Sequence, residues 1–147
     1  RVPTAIRWPG VTKPGSRIEQ TVSILDWFPT ICAMAGVDVP PGTTIRGRDF
    51  TPLLRGKRPR WDNDLYGEYS QHHYTKADLR MYRTPEWKLV RDFLRPNKDE
   101  LYRLASDPAE NHNLIDAPEF REIRKKLDAR LLARMRELRD PLLKAPA

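Results

Sequence analysis

Three features of this 147-residue chain predict an α+β fold. Four short runs rich in aromatic and branched side chains follow one another between residues 64 and 105, and an amphipathic, heavily charged stretch begins at Pro118. An apolar segment near residues 21–37 carries signals for both a helix start and a helix stop. The length suits one domain on a prior of about 100–200 residues and leaves room for a core.

The first segment, RVPTAIRWPG, places Val2, Ala5, Ile6 and Trp8 beside Pro3 and stops at Pro9-Gly10, which predicts a strand and its exit turn. A polar loop then leads to TVSILDWFPTICAMAGV. Asp26 is expected to cap a short helix, with Pro29 in the first turn, where its missing N–H costs little, and Gly36 as the stop. The helix is apolar on most sides, which predicts burial.

Residues 37–48 read as a loop punctuated by proline and glycine, and DFTPLLRG as one or two helical turns. The polar stretch KRPRWDND, near residues 57–63, is the expected boundary between two structural parts.

Beyond it the period becomes that of strands. DLYGEYS, LRMYRT, EWKLVRDF and ELYRLA predict a four-stranded antiparallel meander, with TPEW as a tight connection between the second and third runs. SDPAENHNLID holds Pro108 and several Asx residues that favour turns. In the last segment Phe120, Ile123, Leu127, Leu131, Met135 and Leu138 recur three or four residues apart. This predicts a helix covering one face of the sheet, with Asp116 as its cap, Pro118 in its first turn, and Glu119, Glu122, Asp128 and Glu137 on a solvated outer face.

Composition excludes several function classes. The chain carries 27 basic and 20 acidic residues, a formal charge of +7, but the excess is scattered and accompanied by no zinc-finger spacing or aromatic RNA-binding signature. A nucleic-acid role is therefore not expected. Cys32 is the single cysteine, so no intrachain disulfide or cysteine-rich metal site can form. No apolar run approaches the ~18 residues of a membrane span.

Few residues offer site chemistry. Cys32 lies between Ile31 and Ala33 with no basic neighbour to lower its pKa, and reads as a structural thiol. His72 and His73 stand in SQHHYTK, between the first two strand runs. Adjacent histidines in extended chain point to opposite sides and do not chelate one ion together. With Glu68 and Lys76 nearby, this segment is where a polar ligand is expected. His112 reads as a turn residue, and no catalytic or metal-ligating constellation is complete.

The order of five phrases adds to this reading. RVPTAIRWPG, VSILDWFPTICAMAGV, GRDFTPLLRG, RTPEWKLV and ELYRLASDPAENHNL resemble, in register, the C-terminal portion of the type I sulfatases of the alkaline phosphatase superfamily. The resemblance implies that residues 1–57 are the C-terminal end of an α/β large domain (strand, buried helix, loop) and residues 58–147 a C-terminal subdomain of antiparallel sheet plus amphipathic helix.

It further implies a sulfuric ester hydrolase that works through a formylglycine and a calcium ion. Neither is expected on residues of this chain. Cys32 continues as CAMAG without the proline and arginine of a C/S-x-P-x-R motif, and Ser106 in SDPAE is followed by Glu110 where the motif has arginine. The last catalytic motif is expected just upstream of Arg1, so the chain alone is expected to be inactive and to need an N-terminal sulfatase domain as its partner. In such a protein the subdomain supplies one wall of the substrate cleft. His72, His73, Glu68 and Lys76 are then the expected contacts to a sulfated small molecule or carbohydrate.

Two other readings remain open at this point. One is a phosphonate monoester or phosphodiester hydrolase of the same superfamily; the other is a non-catalytic module that binds acidic polysaccharide. An opening strand without sheet neighbours, and an apolar helix without cover, would also favour self-association.

Overall fold

The computed structural model describes residues 2–143. The chain divides into two compact units between Asn63 and Asp64.

In the first unit the expected opening strand does not form. Residues 2–8 find no ladder partner among the described residues, and Val2 is exposed. Alternation of apolar side chains prepares a strand, but only a neighbouring strand can take up its N–H and C=O groups. The exit turn does form: the Val11 and Thr12 N–H groups donate to the Trp8 carbonyl, and Gly10 takes a positive φ of 76°.

Ser23, not Asp26, opens the helical segment. Its hydroxyl accepts from Leu25 N while Asp26 Oδ2 accepts from Ser23 N, a reciprocal cap on a 3-10 turn over Ile24–Asp26. The turn runs into α1 (Trp27–Ala35), which stops at Gly36 with φ 68°. Asp26 makes no side-chain cap on α1 because its second oxygen accepts from Arg48 N at 2.7 Å. That bond draws the following loop onto the helix start. The approach is close at Gly47, where a Cβ would lie 1.9 Å from the Leu25 carbonyl oxygen.

α1 is also less buried than its apolarity predicts. Thr30 is its buried residue, bonded to the Asp26 carbonyl and to Phe50 N, while Ile31 and Phe28 are exposed together with Ile24 and Leu25 just before them. A shallow groove lined by Ile24, Leu25, Phe28, Ile45, Arg46 and Gly47 runs along this face. The inner side packs on α2 (Thr51–Leu54). Phe50, Leu53 and Leu54 form a small core with Ile6, Trp8, Val22, Trp27, Met34 and Trp61 around it, and Trp27 meets Phe50 edge to face at 5.3 Å.

The second unit is the predicted meander. β1 (Leu65–His72), β2 (Lys76–Arg83), β3 (Trp87–Asp92) and β4 (Glu100–Arg103) form one antiparallel sheet in sequence order. The first hairpin is longer than the sequence runs suggest: β1 reaches His72 and β2 begins at Lys76, so only three residues remain in the turn. Thr84 closes the second hairpin by accepting from Trp87 N with its hydroxyl.

A further 3-10 turn, Pro118–Phe120, leads into α3 (Arg121–Glu137), whose N-cap is made by no side chain; Asp116 does not serve. Leu127, Leu131 and Met135 of α3 pack with Trp87, Leu89 and Leu101 as the core, bordered by Tyr66, Tyr82, Phe120 and Ile123. Asp128 departs from the expected outer face and pairs with Arg91 of β3. In the loop before α3, Asn113 Oδ1 accepts from Leu101 N and Ile115 N, and Asp107 accepts from Asn111 N and His112 N, so His112 is the turn residue its setting predicts. Among the described residues no helix is long and apolar enough to cross a membrane.

Candidate functional site

The β1–β2 register decides which candidate side chains meet. Glu68 pairs with Arg80, Ser70 with Asp78 and His72 with Lys76, so Glu68, Ser70, His72, Lys76, Asp78 and Arg80 lie on one face of the hairpin. Three of the four residues singled out from sequence, Glu68, His72 and Lys76, therefore share a surface, and all three are exposed. His73 does not join them. It sits in the turn, its N–H donates to the Thr75 carbonyl, and its ring stands edge-on to Tyr74 at 4.2 Å.

A buried polar chain lies beneath this surface. His72 Nε2 is 3.0 Å from Asp78 Oδ1, and Asp78 is 3% exposed. Ser70 donates to the Asp78 carboxylate and accepts from Arg80 Nη1 at 3.2 Å. The Ser70 hydroxyl, followed by His72, holds the Asp78 carboxyl below its ordinary range although burial works the other way. Arg80 in turn clasps Asp140, just after α3, through Nε at 2.5 Å and Nη2 at 3.0 Å, and the Tyr66 hydroxyl donates to the same carboxylate at 2.9 Å.

Sequence reasoning missed Ser70, Asp78, Arg80 and Asp140. None belongs to a motif. The only sequence signal was the alternation of charges in ADLR, and it needs the hairpin register before it places Asp78 beneath His72.

The arrangement offers a carboxylate, an imidazole and an ammonium at the open end of a hairpin, with the imidazole held from below. Such a set can bind hydroxyl and anionic oxygens. Among the described residues no three His, Cys, Asp or Glu side chains gather as a metal site. Cys32 is half-buried in α1, remote in sequence from these groups.

Comparison with known proteins adds a lineage to the geometry. The profile of the family described as N-sulphoglucosamine sulphohydrolase, C-terminal, matches residues 1–137. An ulvan-active sulfatase of Formosa agariphila is 31% identical over 157 residues, an alignment covering 86% of this chain and 31% of that protein. A protein solved in complex with its substrate, D-glucosamine-2-N,6-O-disulfate, superposes with a TM-score of 0.74 at 25% identity, over 95% of this chain and 29% of its own. The phosphonate monoester hydrolase of Agrobacterium radiobacter superposes with a TM-score of 0.67 at 25% identity, over 79% of this chain and 25% of its own. The chain thus spans under a third of the length of these proteins.

Proposed function

We propose, from the premise that this chain belongs to the N-sulphoglucosamine sulphohydrolase C-terminal family, that it is the C-terminal part of a sulfatase and supplies one wall of the substrate cleft in a longer protein. That protein hydrolyses sulfate esters on a small molecule or carbohydrate. The observation that carries the cleft role is the hairpin face that gathers Glu68, His72 and Lys76 in the open, with His72 held by a buried carboxylate.

The family implies calcium and formylglycine, and the residues present do not fit them. Cys32 is followed by Ala33, Met34 and Ala35, and no group of three His, Cys, Asp or Glu side chains able to hold a metal forms among the described residues. In this reading both groups are held by the N-terminal sulfatase domain, and no chemical step is assigned to residues described above. Residues 1–57 then complete the large domain. The exposed apolar side chains Ile24, Leu25, Phe28 and Ile31 support that reading, because a face of this kind calls for cover.

The test compares three proteins on an aryl sulfate and on a sulfated monosaccharide: the 147-residue chain, the chain with its preceding polypeptide, and the latter carrying His72→Ala. The chain alone is expected to be inactive and the longer protein active. His72→Ala should raise KM about tenfold on the sulfated sugar, the loss of roughly one hydrogen bond to a charged group. Turnover by the chain alone would refute the reading.

A second reading has one observation in its favour, the superposition on a phosphonate monoester hydrolase. It assigns the longer protein to phosphorus rather than sulfur esters. Assaying an aryl phosphonate monoester beside the aryl sulfate separates the two.

A further inference from the structure

Most groups of the hairpin network serve each other, but His72 has one ring nitrogen committed and one free. Nε2 faces Asp78, whereas Nδ1 has no protein partner among the described residues, and the His72 side chain is 58% exposed against 5% for that of Asp78. The two nitrogens are chemically distinct, and the one that carries hydrogen is set by the bond it makes. The Asp78 carboxylate can only accept: Ser70 donates to it, and the Ser70 hydroxyl is free to do so because Arg80 Nη1 occupies it as a donor. A hydrogen on Nε2 is then the arrangement that makes the 3.0 Å approach favourable.

We infer that Asp78 is a positioning residue, which holds His72 as the Nε2–H tautomer and turns Nδ1 outward to meet a ligand's polar group. This rests on the reading that the hairpin faces the substrate. The neutral ring accepts from a sugar hydroxyl through Nδ1; the protonated ring donates from Nδ1 to an anionic oxygen of a sulfate or carboxylate. Protonation is thus a change of ligand preference at one atom.

The charges around the ring are few and identifiable. Lys76 lies directly across the register, and Asp78 lies beneath. Glu68 is further along β1, and Arg80 is turned to Ser70 and Asp140. His73 follows in the turn. Just after β3, Phe93 N donates to the Asp78 carbonyl, while the charged residues of β3 nearby are engaged elsewhere: Arg91 with Asp99 and Asp128, and Asp92 with Arg95.

Histidine-selective 15N NMR on the full 147-residue chain tests this. The neutral His72 ring should show a protonated Nε2 and an unprotonated Nδ1. Asp78→Asn, whose amide carries no charge and can donate as well as accept, should raise the fraction of the Nδ1–H tautomer. His112, exposed and close to Asp107, should keep its native 15N signals and reports an intact fold. Inorganic sulfate added while the ring is protonated should shift Nδ1 in the native chain and much less in Asp78→Asn. Ser70→Ala, which leaves the carboxylate in place, should preserve the tautomer and serves if Asp78→Asn does not fold.

An Nδ1–H tautomer in the native chain, or an unchanged tautomer population in folded Asp78→Asn, would overturn the inference. Failure of the cleft reading has a different signature: the tautomer is as expected, yet His72→Ala in the longer protein leaves KM for the sulfated sugar unchanged.

Discussion

Arg80 and Asp140 form a two-point ion pair across sixty residues of sequence, with 2% and 4% of their surfaces exposed. The pair fastens the chain just after α3 to the second strand of the sheet. Asp140 spends its remaining capacity on the Tyr66 hydroxyl and on Leu142 N, so the carboxylate is saturated.

Removing one partner from a buried pair strands the other charge without water. Asp140→Ala should therefore destabilise the second unit by about 3–5 kcal/mol in a urea titration followed by circular dichroism. Tyr66→Phe, which removes one bond to a charged acceptor, should cost about 1.5–3 kcal/mol. An equal effect of the two would argue against the pair as the anchor.

The same cluster sets a pH dependence at both ends. Burial pushes the Tyr66 phenol up, reinforced by the adjacent Asp140 carboxylate. A raised phenol contributes stability that is complete below the unfolded value near pH 10 and lost as pH rises above it. Burial alone would raise Asp140, but Arg80, Leu142 N–H and Tyr66 together hold it below the carboxylate range. Its contribution, like that of Asp78, is present above about pH 4 and fades as pH falls through the depressed folded values. Thermal melts from pH 2 to 11 should fall at both limits; Tyr66→Phe should flatten the alkaline limb and, by removing one of the bonds that hold Asp140 down, lessen the acid one.

Gly47 tests the first unit. Its φ is not in the left-handed region, so the constraint is the space taken by the Leu25 carbonyl, which a Cβ would meet at 1.9 Å. Backbone must move to admit even a methyl group. Gly47→Ala should cost about 3 kcal/mol and weaken the Arg48 N to Asp26 bond, seen as a red shift in Trp27 and Trp61 emission.

Leu131 is fully buried between α3 and the sheet. Leu131→Ala should destabilise by about 2–5 kcal/mol, whereas Ala129→Ser on the exposed side of α3 should stay within about 0.5 kcal/mol. Chemical denaturation of the two variants distinguishes a core helix from a loosely attached one.

The legible parts of this fold were those with a local cause. Four strand runs, the Gly36 stop and the Leu127, Leu131, Met135 stripe each follow from periodicity or from one residue's backbone freedom. Misreadings arose where a partner outside the window decided. Asp26 looked like a cap for α1 but is held by Ser23 N and Arg48 N, and the alternating segment at residues 2–8 has no strand to pair with among the described residues. His72 was read as a loop residue because hairpin length depends on pairing, which extended both strands toward the turn.

At the candidate site the sequence alone determined that histidines, a carboxylate and a lysine would cluster between the first two strands, and the order of its phrases identified the family. Only the tertiary structure decided which of them share a face, and which of them is held from behind. A shift of one residue in register would move Asp78 to the opposite face from His72, and no local propensity selects between those alignments. Asp78, Arg80 and Asp140 are three ordinary surface charges in the sequence. Folding removes water from all three, and their hydrogen bonds with Ser70 make them a connected support for His72.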